Sequence, residues 1–171
     1  MQTTTTTIET ARWISEHDPL PVITYDDSAA EIHGFDPRSP YVETYWLTVL
    51  GPSSILAARR MADWLEDQPS GIVIGLEDLA HSLGLGRGTG RNAPVVRTLD
   101  RLVMFGLAQI AWDAYALRRT VLPLSPRLLR RLPSYLIERH DHDLRTMAAD
   151  ELHTAPPVTE NHHLDPRCAA R

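Results

Sequence analysis

The chain has 171 residues, about the length of one domain, with 43% apolar and 23% charged residues, the balance of a globular protein with a real core. No stretch approaches the roughly eighteen apolar residues of a membrane span. Residues 1–10 are threonine-rich, without a basic start or an apolar segment, so no secretory signal is expected. Cys168 is the single cysteine, which excludes a disulfide within the chain and makes a cytoplasmic location the expectation.

The net charge of −5 argues against a polyanionic partner until it is resolved along the chain. All seventeen basic residues are arginine. Residues 1–40 carry −5, 41–84 carry −4, 85–135 carry +7 and 136–171 carry −3. A basic block inside an acidic protein points to a polyanion as partner. The competing reading is that these arginines pair with acids of the flanking segments.

In chain order, residues 1–40 read as a poorly ordered N-terminal segment, with prolines at 19, 21, 37 and 40, scattered acids and at most one short strand at 21–25. Residues 41–147 form the compact part, and 148–171 read as a disordered C-terminal tail. Within the compact part, 41–50 reads as a short helix stopped by Gly51-Pro52, and Ser53 or Ser54 offers an N-cap to the next helix. Ile55, Ala58, Met61, Ala62 and Leu65 repeat at three and four, which predicts a helix to about Asp67. Ile72-Val73-Ile74 between glycines reads as a brief strand. A helix from Leu76 follows, with Leu76, Leu79, Ala80 and Leu83 inward and Gly84 closing it.

A glycine-rich loop then leads to Pro94, placed as a first-turn proline with Asn92 or Ala93 as cap. The third helix runs to about Phe105 with Val95, Val96, Leu99, Leu102 and Val103 inward. Residues 107–112 and 115–121 read as strands joined by a two-residue turn at Asp113-Ala114. Pro126 opens helical material that breaks at Pro133 and continues to about Met147.

Helix, short strand, helix, turn, helix and β-hairpin over the core 53–121 is an order that resembles the winged helix-turn-helix DNA-binding family. The likeness is carried by 76–85, 94–106 and the hairpin through Val121. It implies a mainly α fold with a small β-hairpin wing (α+β) and sequence-specific binding of double-stranded DNA by a transcriptional regulator. The third helix, about 94–105, would lie in the major groove. The loop from Gly84 to Asn92 is longer than the usual turn of that family, and the wing turn is very short.

On this reading Asn92, Arg97, Thr98 and Arg101 contact base edges. Arg97 and Arg101 are four apart on a face the core does not use, and arginine reads guanine bidentately. Arg87 and Arg91 in the glycine-rich loop, with Arg118 and Arg119 on the second hairpin strand, are the candidate phosphate contacts. Apolar residues in excess of a small core, namely Tyr45, Trp46, Leu47, Leu128, Leu129, Leu132, Leu136 and Ile137, imply a homodimer.

The alternative is a winged-helix module that binds protein instead of DNA. No enzyme, cofactor or metal is expected. The glycines at 84, 86, 88 and 90 do not fit a dinucleotide-binding spacing, and a chain without lysine excludes a Walker-type loop. His140 and His142, two apart on a helix, diverge, so an acidic, histidine-containing tail is expected in place of a metal site.

Overall fold

In the computed structural model, which describes residues 3–25 and 34–154, helices surround a four-stranded sheet, so the fold is α+β. The elements are α1 (Thr3–Glu16), β1 (Leu20–Tyr25), a π-helical turn (Val42–Trp46) that runs into α2 (Leu47–Leu50), α3 (Pro52–Asp67), β2 (Ile72–Ile74) and α4 (Leu76–Ser82). They continue with α5 (Pro94–Met104), β3 (Ala108–Ala111), β4 (Ala114–Arg118), α6 (Pro126–Leu129) and α7 (Ser134–Thr154). No helix of the described residues is long and apolar enough to cross a membrane.

Each element expected between 41 and 121 is present, with small shifts at the ends. Neither serine caps α3: Gly51 is the cap residue, Pro52 takes the first helical position, and the buried Ser54 hydroxyl donates instead to the Thr98 carbonyl at 3.3 Å. Ala93, without a side-chain cap bond, precedes Pro94 at the start of α5. The hairpin turn is Trp112-Asp113, one residue earlier than expected, because Ala111 pairs with Ala114. Both turn residues have positive φ, 56° and 57°, the geometry of the primed turn that matches strand twist.

The N-terminal segment is the main correction. Residues 9–25 are not poorly ordered: Ile14 of α1 and Leu20 and Val22 of β1 are fully buried in the core. The sheet order is β2-β1-β4-β3, so β1 stands between β2 and the hairpin. It runs antiparallel to β2, with Leu20 opposite Ile74, and parallel to β4, with Val22 opposite Tyr115 and Thr24 opposite Leu117. Pro21 precedes the first β4 pair, so only β2 flanks it and its missing N–H disrupts no second ladder. Asp18 secures the same segment by accepting the Leu76 N–H at 3.0 Å, which satisfies a donor at the start of α4. The short strand at 21–25 is legible in the sequence, but its place between β2 and β4 is not, because it pairs only with residues far along the chain.

The C-terminal half of the chain also folds back further than expected. Helix α7 runs to Thr154, into the segment read as a tail; residues 155–171 lie outside the described ones. Leu132 and Leu136 are buried, Leu128 and Leu129 pack against the core, and Tyr45 and Trp46 are buried beneath them. One chain therefore covers most of the apolar surplus on which the dimer expectation rested, leaving Leu47 and Ile137 partly exposed.

Candidate functional site

Helix α5 is enclosed on most of its circumference. Val95, Val96, Leu99 and Leu102 face the core, α1 packs along it, and α3, α4 and β3 close other sides. What remains exposed is a single stripe of Pro94, Arg97, Arg101 and Met104, spaced by three and four. Arg97 lies on this stripe without an ion pair to any described residue. Arg101 shares the stripe but is engaged. Its guanidinium donates to the Val49 carbonyl at 2.6 Å and lies 5.4 Å from the centre of the Phe105 ring. It therefore ties α5 to the end of α2.

Thr98 falls outside the stripe. It is 7% exposed, so a base contact through its hydroxyl is corrected: the side chain faces the α3–α5 packing, not solvent. Asn92 is exposed in the turn that precedes α5. In the glycine-rich loop, Arg87 stands 4.0 Å from Glu77, a loose pair with both side chains largely exposed, and Arg91 has no ion pair among the described residues. Gly84 and Gly86 take positive φ there, 70° and 80°, which explains two of the four glycines.

Arg118 and Arg119 do not sit at the hairpin tip. They lie at the opposite end of β4, where the Arg118 N–H donates to the Leu107 carbonyl and the Arg119 N–H to the Tyr25 carbonyl. The Arg118 guanidinium packs 5.4 Å from the Tyr25 ring centre. Both line a cavity of about 340 Å³ with Arg38, Asp36 and Glu66. The candidate arginines thus divide between two places. Arg91 and Arg97 gather at the start of α5, whereas Arg118 and Arg119 belong to the base of the sheet.

Several carboxylates of the flanking segments meet arginines of those same segments. Arg38 meets Asp36 at 2.8 Å, Asp63 at 3.1 Å and Glu66, while Arg59 meets Glu43 at 3.0 Å. Burial works to raise the Asp36 carboxyl, but the Arg38 hydrogen bonds prevail and hold it below its ordinary value. The same contacts, Asp36 foremost, raise Arg38 further.

The groove beside the α5 stripe went unread in the sequence. It has about 450 Å³ of space between the stripe and the first turn of α3, lined by Ser53, Ser54, Arg97, Asp100 and Arg101 among others. Asp100 is 8% exposed and raised by burial. Its position next to two arginines suggests a relieving ion pair, yet none forms. The run Gly51-Pro52-Ser53-Ser54 was the available signal, since a first-turn proline announces where a helix presents its unpaired N–H groups.

Among the described residues, no group of histidine, cysteine and carboxylate side chains could hold a metal ion. His140 is buried and His142 exposed, on different faces of α7. No protein-family model, curated protein or solved structure matches the chain.

Proposed function

We propose that the chain is a winged helix-turn-helix protein that binds double-stranded DNA through α5 and acts as a transcriptional regulator. The observation that carries this reading is the α5 stripe. Arg97 projects from the one exposed face of a helix otherwise enclosed, with Arg91 and Asn92 at its N-terminal approach and no acid paired to either arginine among the described residues. The element order over 52–118, with a hairpin directly after α5, also supports it. The inserted strand β1 is a departure from the simplest form of that architecture, although it leaves the exposed face of α5 open.

Within this reading Arg97 and Asn92 meet base edges, Arg91 and Arg87 meet phosphates, and Arg101, on the same stripe, ties α5 to α2 through the Val49 carbonyl. Arg118 and Arg119 drop out of the primary contact surface, because they line the cavity with Asp36 and Arg38 and not the groove beside Arg97. The test is fluorescence anisotropy with labelled duplexes selected by the purified protein from genomic fragments. Log affinity should fall with log salt at about −0.9 per neutralised phosphate. Arg97→Ala should cost about 1–3 kcal/mol of discrimination, while Arg91→Ala should weaken all duplexes alike and shrink the salt slope by about one. Absence of any salt-dependent binding would transfer the assignment to a protein-binding module. For that reading the 93% exposed Trp112 at the hairpin tip is the natural anchor.

A further inference from the structure

The groove between α5 and the start of α3 carries opposite charges that the chain itself leaves unpaired. Helix α3 is sixteen residues long, begins with Pro52 and has no side-chain cap, so the N–H groups of Ser53 and Ser54 have no partner among the described residues. These orphan donors, at the positive end of the helix dipole, attract an anion. The Ser54–Thr98 hydrogen bond clamps this turn against α5, which brings Arg97 to the same groove.

Asp100 lines that groove too. It is more than nine-tenths buried and makes no hydrogen bond or ion pair with any described residue. No fully enclosed polar side-chain atom of the described residues lacks a partner, so the Asp100 oxygens must open onto the groove. Arg97 and Asp100 stand one helical turn apart, about 5–6 Å between Cβ atoms. Elsewhere Arg12 meets Glu16 at 2.8 Å and Arg139 meets Asp143 at 3.0 Å along one helix face. Arg97 and Asp100 form no such pair.

We propose that this groove is a binding site for a small zwitterion of the α-amino acid class, its carboxylate on Arg97 and the Ser53 and Ser54 N–H groups, its ammonium on Asp100. A simple anion would be repelled by Asp100, and a simple cation by Arg97. A ligand with both charges a few ångströms apart satisfies each. Burial makes the lone Asp100 carboxylate costly, and an ammonium group offsets that cost. Met104, exposed at the groove margin, offers apolar surface to the ligand's side chain. The site stands independently of the DNA reading. Because Arg97 serves both, an occupied groove would compete with DNA for that side chain.

The test is thermal melting of the full chain with each of the twenty common amino acids singly, beside sodium acetate and methylammonium chloride at equal concentration. At least one amino acid should raise the melting temperature beyond both single-charge salts. Calorimetric titration of that amino acid should then show its affinity cut about tenfold or more by Asp100→Asn and also by Arg97→Ala, the worth of one charge-assisted hydrogen bond each. Asp100→Asn keeps the side-chain volume, and Arg97 is exposed, so neither change threatens folding. The proposal fails if no amino acid exceeds the two salts, or if either substitution leaves the binding intact.

Discussion

The Tyr45 hydroxyl donates to Asp143 Oδ2 at 2.8 Å, joining the π-helical turn to α7 across 98 residues of chain. Tyr41 makes the neighbouring link: it accepts the Leu124 N–H at 3.0 Å and lies 2.8 Å from His140 Nε2. A phenol has one proton and two lone pairs, so Tyr41 can accept the Leu124 N–H and share a further hydrogen bond with His140 Nε2, whose direction follows the imidazole tautomer. These two bonds place a polar seam inside the apolar contact made by Leu132 and Leu136. They fix the rotation of α7, since a turned helix would bury Asp143 and His140 without partners.

This seam predicts a pH profile. The Tyr45 hydroxyl and the Arg139 guanidinium hold the Asp143 carboxyl below its ordinary value, against the opposing effect of burial. A carboxyl shifted down in the folded state stabilises the fold at neutral pH and loses that contribution as pH falls from about 4. Burial pushes Tyr41 up to about 12 and also raises Tyr45 and Tyr115, so the folded state disfavours their ionisation. Stability should therefore hold across neutral pH and decline above about pH 10, where unfolded phenols ionise first. Urea midpoints measured across the range check both limbs. Tyr45→Phe should lower the melting temperature by a few degrees and make the acid limb shallower.

The place of β1 in the sheet makes the N-terminal segment integral to the fold. Leu20→Ala, at a fully buried position opposite Ile74, should cost about 2–5 kcal/mol in urea unfolding. A loss below about 1 kcal/mol would mean that β1 is peripheral.

Gly51 joins α2 to α3 at φ 78° and ψ 163°, a region almost confined to glycine, yet a Cβ there would touch nothing within 4 Å. Gly51→Ala should thus destabilise by roughly 1–3 kcal/mol through backbone strain alone. The variant should keep the native circular dichroism spectrum, and a crystal structure should show the groove unobstructed.

The hairpin turn has the opposite character. Trp112 and Asp113 occupy positive φ that asparagine and glycine adopt more readily, and the Trp112 ring packs on almost nothing. Replacing the pair by Asn-Gly should raise stability by on the order of 1 kcal/mol in denaturant melts. A decrease would show that the indole makes contacts that hold the hairpin.

Helices and turns of the central region were legible from residues alone, because their causes lie within a few positions of one another. Val95, Val96, Leu99 and Leu102 define the inner face of α5 by spacing, and Pro94 marks its first turn. Arg97 followed as an outward residue from the same arithmetic. The spacing erred with Thr98, because it identifies the face turned to the core but not how far the neighbouring elements wrap around the helix. Here α1, from a segment read as poorly ordered, and the first turn of α3 enclose α5 more widely than an isolated periodicity implies.

What the chain's order of residues determined by itself was the local chemistry: which stretches coil, where they stop, and that the arginines of residues 85–135 outnumber their acids. Tertiary structure alone decided that β1 enters between β2 and β4, that Arg118 and Arg119 sit apart from Arg97, and that Asp100 shares a groove with the N-terminus of α3. Helical hydrogen bonds close between residues four apart, so their signal is written in short spacings. Strand pairing and groove walls join residues tens of positions distant, and only the folded path brings those together.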